Sequence, residues 1–173
     1  MPMIVQPAPQ FTVPAVVDGG DFKDITLSEY KGKWVVLFFY PLDFTFVCPT
    51  EITQFRDQLK NFKEAGAVVL GASIDSVHSH KRWIKDDLGD LGYPLLGDVT
   101  KRLSRDYGVL MEDKGIATRG TFIIDPEGII QYMGIHNLNV GRDANEVLRV
   151  LSGLKSGELC GAGWKPGAKH LKV

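Results

Sequence analysis

The sequence predicts an α/β protein with a central mixed β-sheet flanked by helices. Apolar runs of strand length, rich in β-forming residues, alternate with segments whose apolar residues recur at helical spacing. Two turn-forming sequences, Asp-Gly-Gly-Asp and Asp-Pro-Glu-Gly, each separate strand-like runs and indicate hairpins. With 173 residues, 44% of them hydrophobic, the chain can bury about 70% of its unfolded surface without a disulfide. We therefore expect residues 1–173 to form a single domain.

The amino-terminal elements predict a hairpin followed by a buried strand. Residues 13–17 and 22–27 flank Asp-Gly-Gly-Asp and predict an N-terminal hairpin, and a short turn follows at residues 28–32. Residues 34–40 form a continuous apolar run, which is typical of a central strand covered on both faces. The carboxyl end of this strand leads the chain to Cys48.

A helix and a second buried strand come next. Residues 49–66 predict the helix because four apolar residues recur at helical spacing before a glycine that can end it. Residues 67–74 predict the strand, after which Asp75 or Ser76 can cap another helix that runs to about Asp87. The apolar face of the first helix consists of Ile52, Phe55, Leu59 and Phe62.

A short strand and a short helix are predicted in the next segment. The strand covers residues 93–96. Val99, Leu103 and Tyr107 recur at helical spacing, so they predict one buried helical face that ends at Gly108. This strand and helix continue the alternation of the two element types, which is the pattern that an α/β sandwich requires.

The last segment predicts a hairpin, a helix and a tail. Residues 119–124 and 129–135 flank Asp-Pro-Glu-Gly, whose proline and glycine suit a tight hairpin turn. The last helix is expected at residues 143–154. Residues 155–173 are polar and rich in glycine and proline, so we expect a flexible C-terminal tail, and this tail carries Cys160.

Composition and charge argue against several classes of partner. The formal net charge is -1, from 20 basic and 21 acidic residues that are spread along the chain without a polybasic stretch. We therefore expect no nucleic-acid partner. The longest apolar run, residues 34–42, is too short to span a bilayer, and the amino terminus lacks a signal-type segment. We therefore expect no membrane partner and a cytoplasmic location. A structural disulfide would need an oxidising compartment, so reactive thiols are the favoured interpretation of the two cysteines.

Cys48 is the leading candidate for chemistry because it lies where a helix is predicted to start. Unpaired backbone N–H groups and the positive end of the helix dipole favour the thiolate there, and the thiolate is the nucleophilic form of cysteine. Pro49 is tolerated only in a first helical turn, so it keeps Cys48 out of the helix interior. Pro41 stiffens the approach, and the Thr45 hydroxyl can accept a hydrogen bond from an incoming O–H group and donate one to the sulfur.

A helix start alone does not stabilise a thiolate enough. Making a cysteine predominantly thiolate at neutral pH takes about 3.4 kcal/mol, whereas a helix end contributes about 0.3 to 2 kcal/mol. A nearby cation is therefore expected. Arg119 is the first candidate because it opens a predicted buried strand, where an unpaired charge is costly, and Arg142 is the second. Glu51 either orients the two arginines or only complements the helix dipole.

The chain resembles the peroxiredoxins over nearly its whole length. Residues 38–51, with the sequence Phe-Phe-Tyr-Pro-Leu-Asp-Phe-Thr-Phe-Val-Cys-Pro-Thr-Glu, resemble the peroxidatic signature of that family. Arg119 stands where the family carries its active-site arginine. Residues 158–167 contain Glu-Leu-Cys and Trp-Lys-Pro-Gly, and they resemble the resolving-cysteine segment of the typical two-cysteine group, which includes the bacterial alkyl hydroperoxide reductases.

This resemblance implies a thioredoxin-like fold and a thiol-specific peroxidase. It implies that the Cys48 thiolate reduces hydrogen peroxide or an organic hydroperoxide, with Thr45 and Arg119 holding the peroxide oxygens, and becomes a sulfenic acid. Cys160 from a partner subunit then forms a disulfide with Cys48, and thioredoxin or a flavoprotein disulfide reductase restores both thiols. The resemblance further implies a homodimer that assembles to a decamer, with no metal, haem or flavin.

Two departures from the family pattern carry expectations of their own. Members that are sensitive to overoxidation have a Gly-Gly-Leu-Gly segment and a carboxyl-terminal Tyr-Phe helix. Here residues 89–92 are Gly-Asp-Leu-Gly and the chain stops at Val173 without Tyr-Phe, so we expect Cys48 to resist oxidation to sulfinic acid. Gly161 follows Cys160 where relatives commonly have proline, which bears on the geometry of the tail.

Several alternatives remain beside this interpretation. A thioredoxin-type disulfide reductase normally uses C-x-x-C, whereas Cys48 and Cys160 lie far apart in sequence. A non-enzymatic holdase or scaffold is the second alternative. Taken singly, the two cysteines could be an inert buried thiol and an ordinary surface thiol. His78 and His80 lie two apart on a predicted helix with no third ligand nearby, so we expect them to be solvated rather than to bind a metal.

Overall fold

The computed structural model describes residues 2–172, and their centre is a seven-stranded mixed sheet. The helices, in chain order, are α1 (Cys48–Asp57), α2 (Leu59–Glu64), α3 (Val77–Trp83), α4 (Arg102–Asp106) and α5 (Ala144–Ser156). The strands, in chain order, are β1 (Thr12–Val16), β2 (Phe22–Thr26), β3 (Trp34–Phe39), β4 (Ala67–Ser73), β5 (Leu95–Gly97), β6 (Leu110–Met111), β7 (Ile116–Ala117), β8 (Arg119–Ile124) and β9 (Ile130–His136).

The strand order of the sheet is β2-β1-β5-β4-β3-β8-β9. The pairs β3–β4 and β4–β5 are parallel, and the remaining pairs are antiparallel. Both predicted hairpins, β1–β2 and β8–β9, are therefore confirmed. A mixed sheet with helices packed on it also confirms the predicted fold class. The single-domain division of residues 1–173 stays a prediction.

The strand β3 lies inside the sheet and is covered on both faces, as predicted. Val36, Phe38 and Tyr40 pack with the cluster formed by α1, α2, α3 and α5. The alternate residues Leu37 and Phe39 pack into the second cluster, on the opposite face with α4. This alternation follows from the two-residue period of a strand, and burial on both faces explains why the run is apolar throughout.

The topology brings three separate chain segments to one edge of the sheet. Strand β8 runs antiparallel to β3, with Thr121 opposite Phe38, so β8 starts beside the end of β3. Strand β9 returns antiparallel to β8 and places His136 opposite Arg119. The loop after β3, the first residue of β8 and the segment after β9 therefore meet at the same place.

The predicted helices needed three corrections. The helix expected at residues 49–66 is divided into α1 and α2 at Gln58, whose ψ of 0° departs from helical geometry. Helix α3 ends at Trp83 and continues as a π-helical turn, Ile84–Leu88. Helix α4 begins only at Arg102, so Val99 lies outside it and is 59% exposed. The short antiparallel pair of β6 and β7 was not predicted, because its strands have two residues each and give no periodic signal.

The carboxyl-terminal tail folds back on α5. Trp164 is buried, its carbonyl accepts a hydrogen bond from Arg149 Nη1 at 2.9 Å, and its indole N–H donates to the carbonyl of Ala168 at 3.2 Å. The amide of Leu171 donates to the carbonyl of Leu159 at 2.8 Å. The flexibility expected for the tail stays a prediction. No helix in the described part of the chain combines the length and apolarity needed to cross a membrane.

Candidate active site

Cys48 is the first residue of α1, as the sequence predicts. The loop of residues 41–47 connects it to the end of β3, and Pro49 occupies the first helical turn, where its missing N–H costs nothing. The carbonyl of Val47 accepts the amide N–H groups of Thr50 and Glu51, which closes the first turn behind the cysteine. The Cys48 side chain is only 1% exposed. The Cys48 sulfur is therefore held at the helix start and covered by the protein.

Arg119 is the cation that lies against the cysteine sulfur. Its Nη1 is 3.4 Å from Cys48 Sγ and 2.6 Å from Glu51 Oε2, and its Nε donates to the carbonyl of Leu138 at 2.8 Å. The guanidinium is therefore held at three points, and Arg119 is 4% exposed. This position follows from the antiparallel pairing of β8 with β3, which places the first residue of β8 beside the loop that leads to Cys48.

Arg142 reaches the same carboxylate from the segment before α5. Its Nε donates to Glu51 Oε1 at 2.8 Å and its Nη2 donates to Glu51 Oε2 at 3.0 Å, which is a two-point pairing. Its Nη1 donates to the carbonyl of Gly120 at 2.7 Å. Burial lowers the pKa of Arg142 from its ordinary value, and the Glu51 carboxylate opposes that shift. Glu51 thus lies between the two arginines and holds both guanidiniums in place.

The buried charges around the sulfur leave an excess of one positive charge. Arg119 and Arg142 contribute two positive charges, Glu51 contributes one negative charge, and all three side chains are buried. An uncompensated buried charge is costly. A thiolate at Cys48 would neutralise the cluster. The local contact with Arg119 and the total charge of the cluster therefore both place positive charge at the Cys48 sulfur.

Thr45 and Pro41 lie in the loop that approaches Cys48. The half-buried Thr45 hydroxyl donates its proton to the carbonyl of Leu42 at 3.0 Å, so that proton does not go to the sulfur. This differs from the donation to sulfur that the sequence suggested, and it leaves the oxygen lone pairs of Thr45 available to accept an O–H group. Pro41 is buried at the start of the loop. It has no N–H group that would need a partner there.

Cys160 is not brought to Cys48 within one chain. Both cysteines are free thiols, and Cys160 is half-buried with Sγ 3.7 Å from Ser156 Oγ, against the last turn of α5. Arg142, which touches the cluster around Cys48, precedes the other end of that helix. The Cys160 sulfur lies next to Gly153 of α5. Ala144, the first residue of α5, is nine positions earlier, and nine positions of helix span roughly 14 Å at 1.5 Å per residue. A disulfide between the two sulfurs requires a different copy or a large rearrangement.

The sequence did not single out a buried polar cluster beneath the same loop. His80 is fully buried, so the expectation that it is solvated is wrong. It contacts the side chain of Asp43, which precedes Thr45 in the loop. Asp43, the only charged residue of the loop of residues 41–47, was the available signal. No group of three or more His, Cys, Asp or Glu side chains among the described residues could hold a metal ion.

Known proteins match the chain over nearly its full length. Peroxiredoxin-2 of Rattus norvegicus is 53% identical, and the alignment covers 98% of this chain and 89% of that protein. The chloroplastic 2-Cys peroxiredoxin BAS1 of Hordeum vulgare is 51% identical, with 99% of this chain and 86% of that protein covered.

Solved structures of two-cysteine proteins have the same fold. The reduced 2-Cys peroxiredoxin of Plasmodium vivax superposes with a TM-score of 0.94 at 37% identity, covering 98% of this chain and 92% of that one. AhpC of Mycobacterium bovis gives a TM-score of 0.86 at 41% identity, covering 95% of this chain and 100% of that one. The model of the AhpC/TSA family matches residues 4–133. The buried, arginine-paired cysteine thus lies in a chain that belongs to the AhpC/TSA family and is a peroxiredoxin, a thiol-dependent peroxidase.

Proposed function

We propose that Cys48 is the nucleophile of this peroxidase. Its thiolate attacks the distal oxygen of the hydroperoxide, so that an S–O bond forms as the O–O bond breaks. The leaving oxygen takes up a proton from solvent, which balances the proton that the thiol released on ionising, and departs as water or an alcohol. Cys48 becomes a sulfenic acid. The observation that carries this assignment is the 3.4 Å contact between Arg119 Nη1 and the Cys48 sulfur, within a buried cluster that has one excess positive charge.

The other site residues have distinct roles in this proposal. Arg119 donates hydrogen bonds to the peroxide oxygens and stabilises the charge that moves onto the leaving oxygen. Thr45 accepts the peroxide O–H group, and Pro41 keeps the loop rigid at its start. Glu51 and Arg142 act through Arg119, because they fix its guanidinium by the contacts with Glu51.

We propose that the sulfenic acid is resolved by Cys160 of a second copy. The condensation forms the S–S bond and releases water. Cys160 lies against the last turn of α5, whereas Arg142 of the cluster around Cys48 precedes the first turn, and this separation supports the proposal. The burial of Cys48 supports it too, because a tail cysteine cannot reach the sulfur while the first turn of α1 is intact. The first turn must then unwind in each cycle. Hydrogen exchange at residues 45–52 should be faster in the disulfide form than in the reduced form, and equal protection in both would contradict this.

A peroxiredoxin acts on a peroxide and is recycled by a thioredoxin-type reductant. In this chain the reductant attacks the Cys48–Cys160 disulfide, becomes oxidised to its own disulfide and leaves both cysteines as thiols. Thioredoxin itself and a flavoprotein disulfide reductase remain the two proposed donors. We also propose the cytoplasmic location that the sequence predicts. Cell fractionation with antibody detection tests the location.

The edge strand β9 supports a proposal of homodimers that assemble to a decamer. It lies at the end of the sheet, and its first residue, Ile130, exchanges backbone hydrogen bonds with Val5 and Gln6. Among residues 2–172, no other strand pairs with the rest of this outer edge, and Ile135 is 46% exposed there. Edges of this kind pair readily with a second copy. Analytical ultracentrifugation of the reduced and oxidised protein measures the assembly size.

Treatment of the reduced protein with one equivalent of hydrogen peroxide should produce a disulfide-linked dimer on a non-reducing gel. The same treatment should put the first oxygen on the Cys48 peptide, as read by mass spectrometry of dimedone-trapped protein. The dimer band should disappear in Cys48→Ser and in Cys160→Ser alike, because each disulfide needs one thiol of each kind. A protein that stays monomeric on the gel although both cysteines have become unreactive to a thiol label would indicate a disulfide within one chain. That result would contradict resolution by a second copy.

Cys48 should resist oxidation to sulfinic acid during turnover at high peroxide. The segment of residues 89–92 carries Asp90 where sensitive relatives carry glycine, and the Asp90 carboxylate accepts the amide of Gly92 at 3.2 Å. Asp90→Gly provides the matched variant and should increase the sulfinate fraction measured by mass spectrometry. Rapid sulfinate formation in the wild type would contradict this prediction.

A further inference from the structure

A buried histidine lies beneath the loop that leads to Cys48. His80, in α3, is fully buried, and its two ring nitrogens face different partners. Nδ1 lies 2.8 Å from Asp43 Oδ2, and Nε2 lies 3.0 Å from the carbonyl oxygen of Leu96 in β5. The reaction steps proposed for Cys48, Thr45 and Arg119 use none of these contacts. The histidine therefore needs a separate explanation.

The hydrogen bonds of this cluster converge on Asp43. The Tyr40 hydroxyl donates to Asp43 Oδ1 at 2.8 Å, and the Ser79 hydroxyl donates to Asp43 Oδ2 at 2.7 Å. A carbonyl oxygen only accepts, so His80 Nε2 must donate to Leu96. A proton is also shared between His80 Nδ1 and Asp43 Oδ2, because two lone pairs at 2.8 Å would repel each other. His80 thus links the Asp43 carboxylate to the core of the sheet.

Asp43 is the fixed point of the loop before Cys48. Its backbone N–H donates to Asp75 Oδ2 at 2.8 Å, so both its main chain and its side chain are held. The next residue, Phe44, has φ of +55°, in the left-handed region. A bulky residue keeps that conformation only where its surroundings determine it. Thr45 follows directly, with its hydroxyl bonded back to Leu42. The position of Thr45 therefore depends on how firmly Asp43 is held.

We propose that His80 is a positioning residue for the peroxidase reaction, acting through Asp43 to hold the 41–47 loop and so to orient Thr45 and Cys48 for the peroxide. This role rests on the proposed function of Cys48. The positioning role requires the hydrogen bond between His80 Nδ1 and Asp43, whereas the hydrogen bond from Nε2 to Leu96 only fixes the orientation of the ring. The contributions of the two hydrogen bonds can be tested separately, because an amide side chain of the right length can replace either ring nitrogen.

The test compares His80→Asn with His80→Gln. Asparagine places its amide N–H group near the position of Nδ1 and can still donate to Asp43, whereas glutamine reaches only the position of Nε2 and can donate to Leu96. The second-order rate constant for Cys48 oxidation by hydrogen peroxide is measured by stopped flow on each reduced protein. We expect His80→Gln to lower it by about tenfold or more, since a buried hydrogen bond to a charged group is lost. His80→Asn should keep most of the wild-type rate constant.

Denaturant unfolding of both variants separates positioning from stability. Equal rate losses in the two variants, or no loss in either, would overturn the proposed role of His80. If wild-type Cys48 gains no oxygen from peroxide, the function proposed for Cys48 fails and the role of His80 fails with it. If the wild type reacts with peroxide at Cys48 and the two variants have equal rate constants, only the role proposed for His80 fails.

A second pair of variants keeps the test decisive if neither histidine variant folds. Ser79→Ala removes one donor to Asp43, whereas Ser76→Ala removes the amino-terminal cap of the same helix, where the Ser76 hydroxyl accepts the amide of Ser79 at 3.2 Å. We expect Ser79→Ala to slow Cys48 oxidation by about threefold or more. Ser76→Ala should lower stability and leave the rate unchanged. Equal slowing by both would mean that α3 supports the loop only structurally, which would overturn the proposal.

Discussion

Cys48→Ser is expected to abolish peroxide consumption, whereas Cys160→Ser is expected to retain the first oxidation. A serine hydroxyl in place of Cys48 stays protonated beside Arg119, and it lacks the sulfur electron pair that attacks the O–O bond. In the proposed cycle, Cys160 acts only after the sulfenic acid has formed. Reduced Cys160→Ser should therefore consume one equivalent of peroxide per chain at nearly the wild-type rate and accumulate a sulfenic acid that dimedone traps.

Peroxide loss in a single mixing experiment, followed by mass spectrometry, checks both variants. Thermal unfolding tests whether each variant is folded, which we expect because serine is close to cysteine in size. Stoichiometric peroxide consumption by Cys48→Ser would show that another group is the nucleophile. Failure of Cys160→Ser to take up oxygen at Cys48 would place Cys160 in the first step.

Arg119→Met is expected to reduce the rate constant for Cys48 oxidation by about 10² to 10³-fold. The change removes the donor 3.4 Å from the sulfur and the excess positive charge of the cluster, leaving Glu51 paired with Arg142 alone. Loss of one preorganised donor at a site of developing charge costs a factor of this size. Arg119→Lys should be intermediate, because one ammonium group cannot contact Glu51, the sulfur and Leu138 together.

Stopped-flow kinetics at several peroxide concentrations measures this effect. Arg105→Met is the matched control: it makes the same substitution at an exposed arginine whose partner is the exposed Glu112. Its rate should equal that of the wild type, because a surface ion pair contributes little. If folded Arg119→Met reacted within about threefold of the wild type, the guanidinium would not be stabilising the reaction.

Periodicity and turn chemistry predicted most of the local structure. The apolar run before Cys48 became β3, Pro49 fell in the first turn of α1, and Asp-Pro-Glu-Gly joined β8 to β9. These signals lie within a few residues of each other, so they do not depend on the rest of the fold. The failures were of the same local kind: a break at Gln58, a helix α4 shorter than expected, and the two-residue strands β6 and β7.

His80 shows what local pattern could not supply. Helical spacing separates His78 from His80 on the surface of α3, but it does not say which neighbouring segment covers either side chain. The loop before Cys48 brings Asp43 over His80, and β5 brings the carbonyl of Leu96 beneath it. The burial of His80 therefore follows from three segments packing together.

The sequence by itself determined the two hairpins, the buried strand β3 and the placement of Cys48 at a helix start. Only the tertiary structure decided that Glu51 lies between Arg119 and Arg142, that His80 is buried under the loop, and that Cys160 is remote from Cys48 within one chain. The physical reason is distance along the chain. Periodic signals act over about four residues, whereas Arg142 and Glu51 are 91 residues apart and meet only when the sheet has formed.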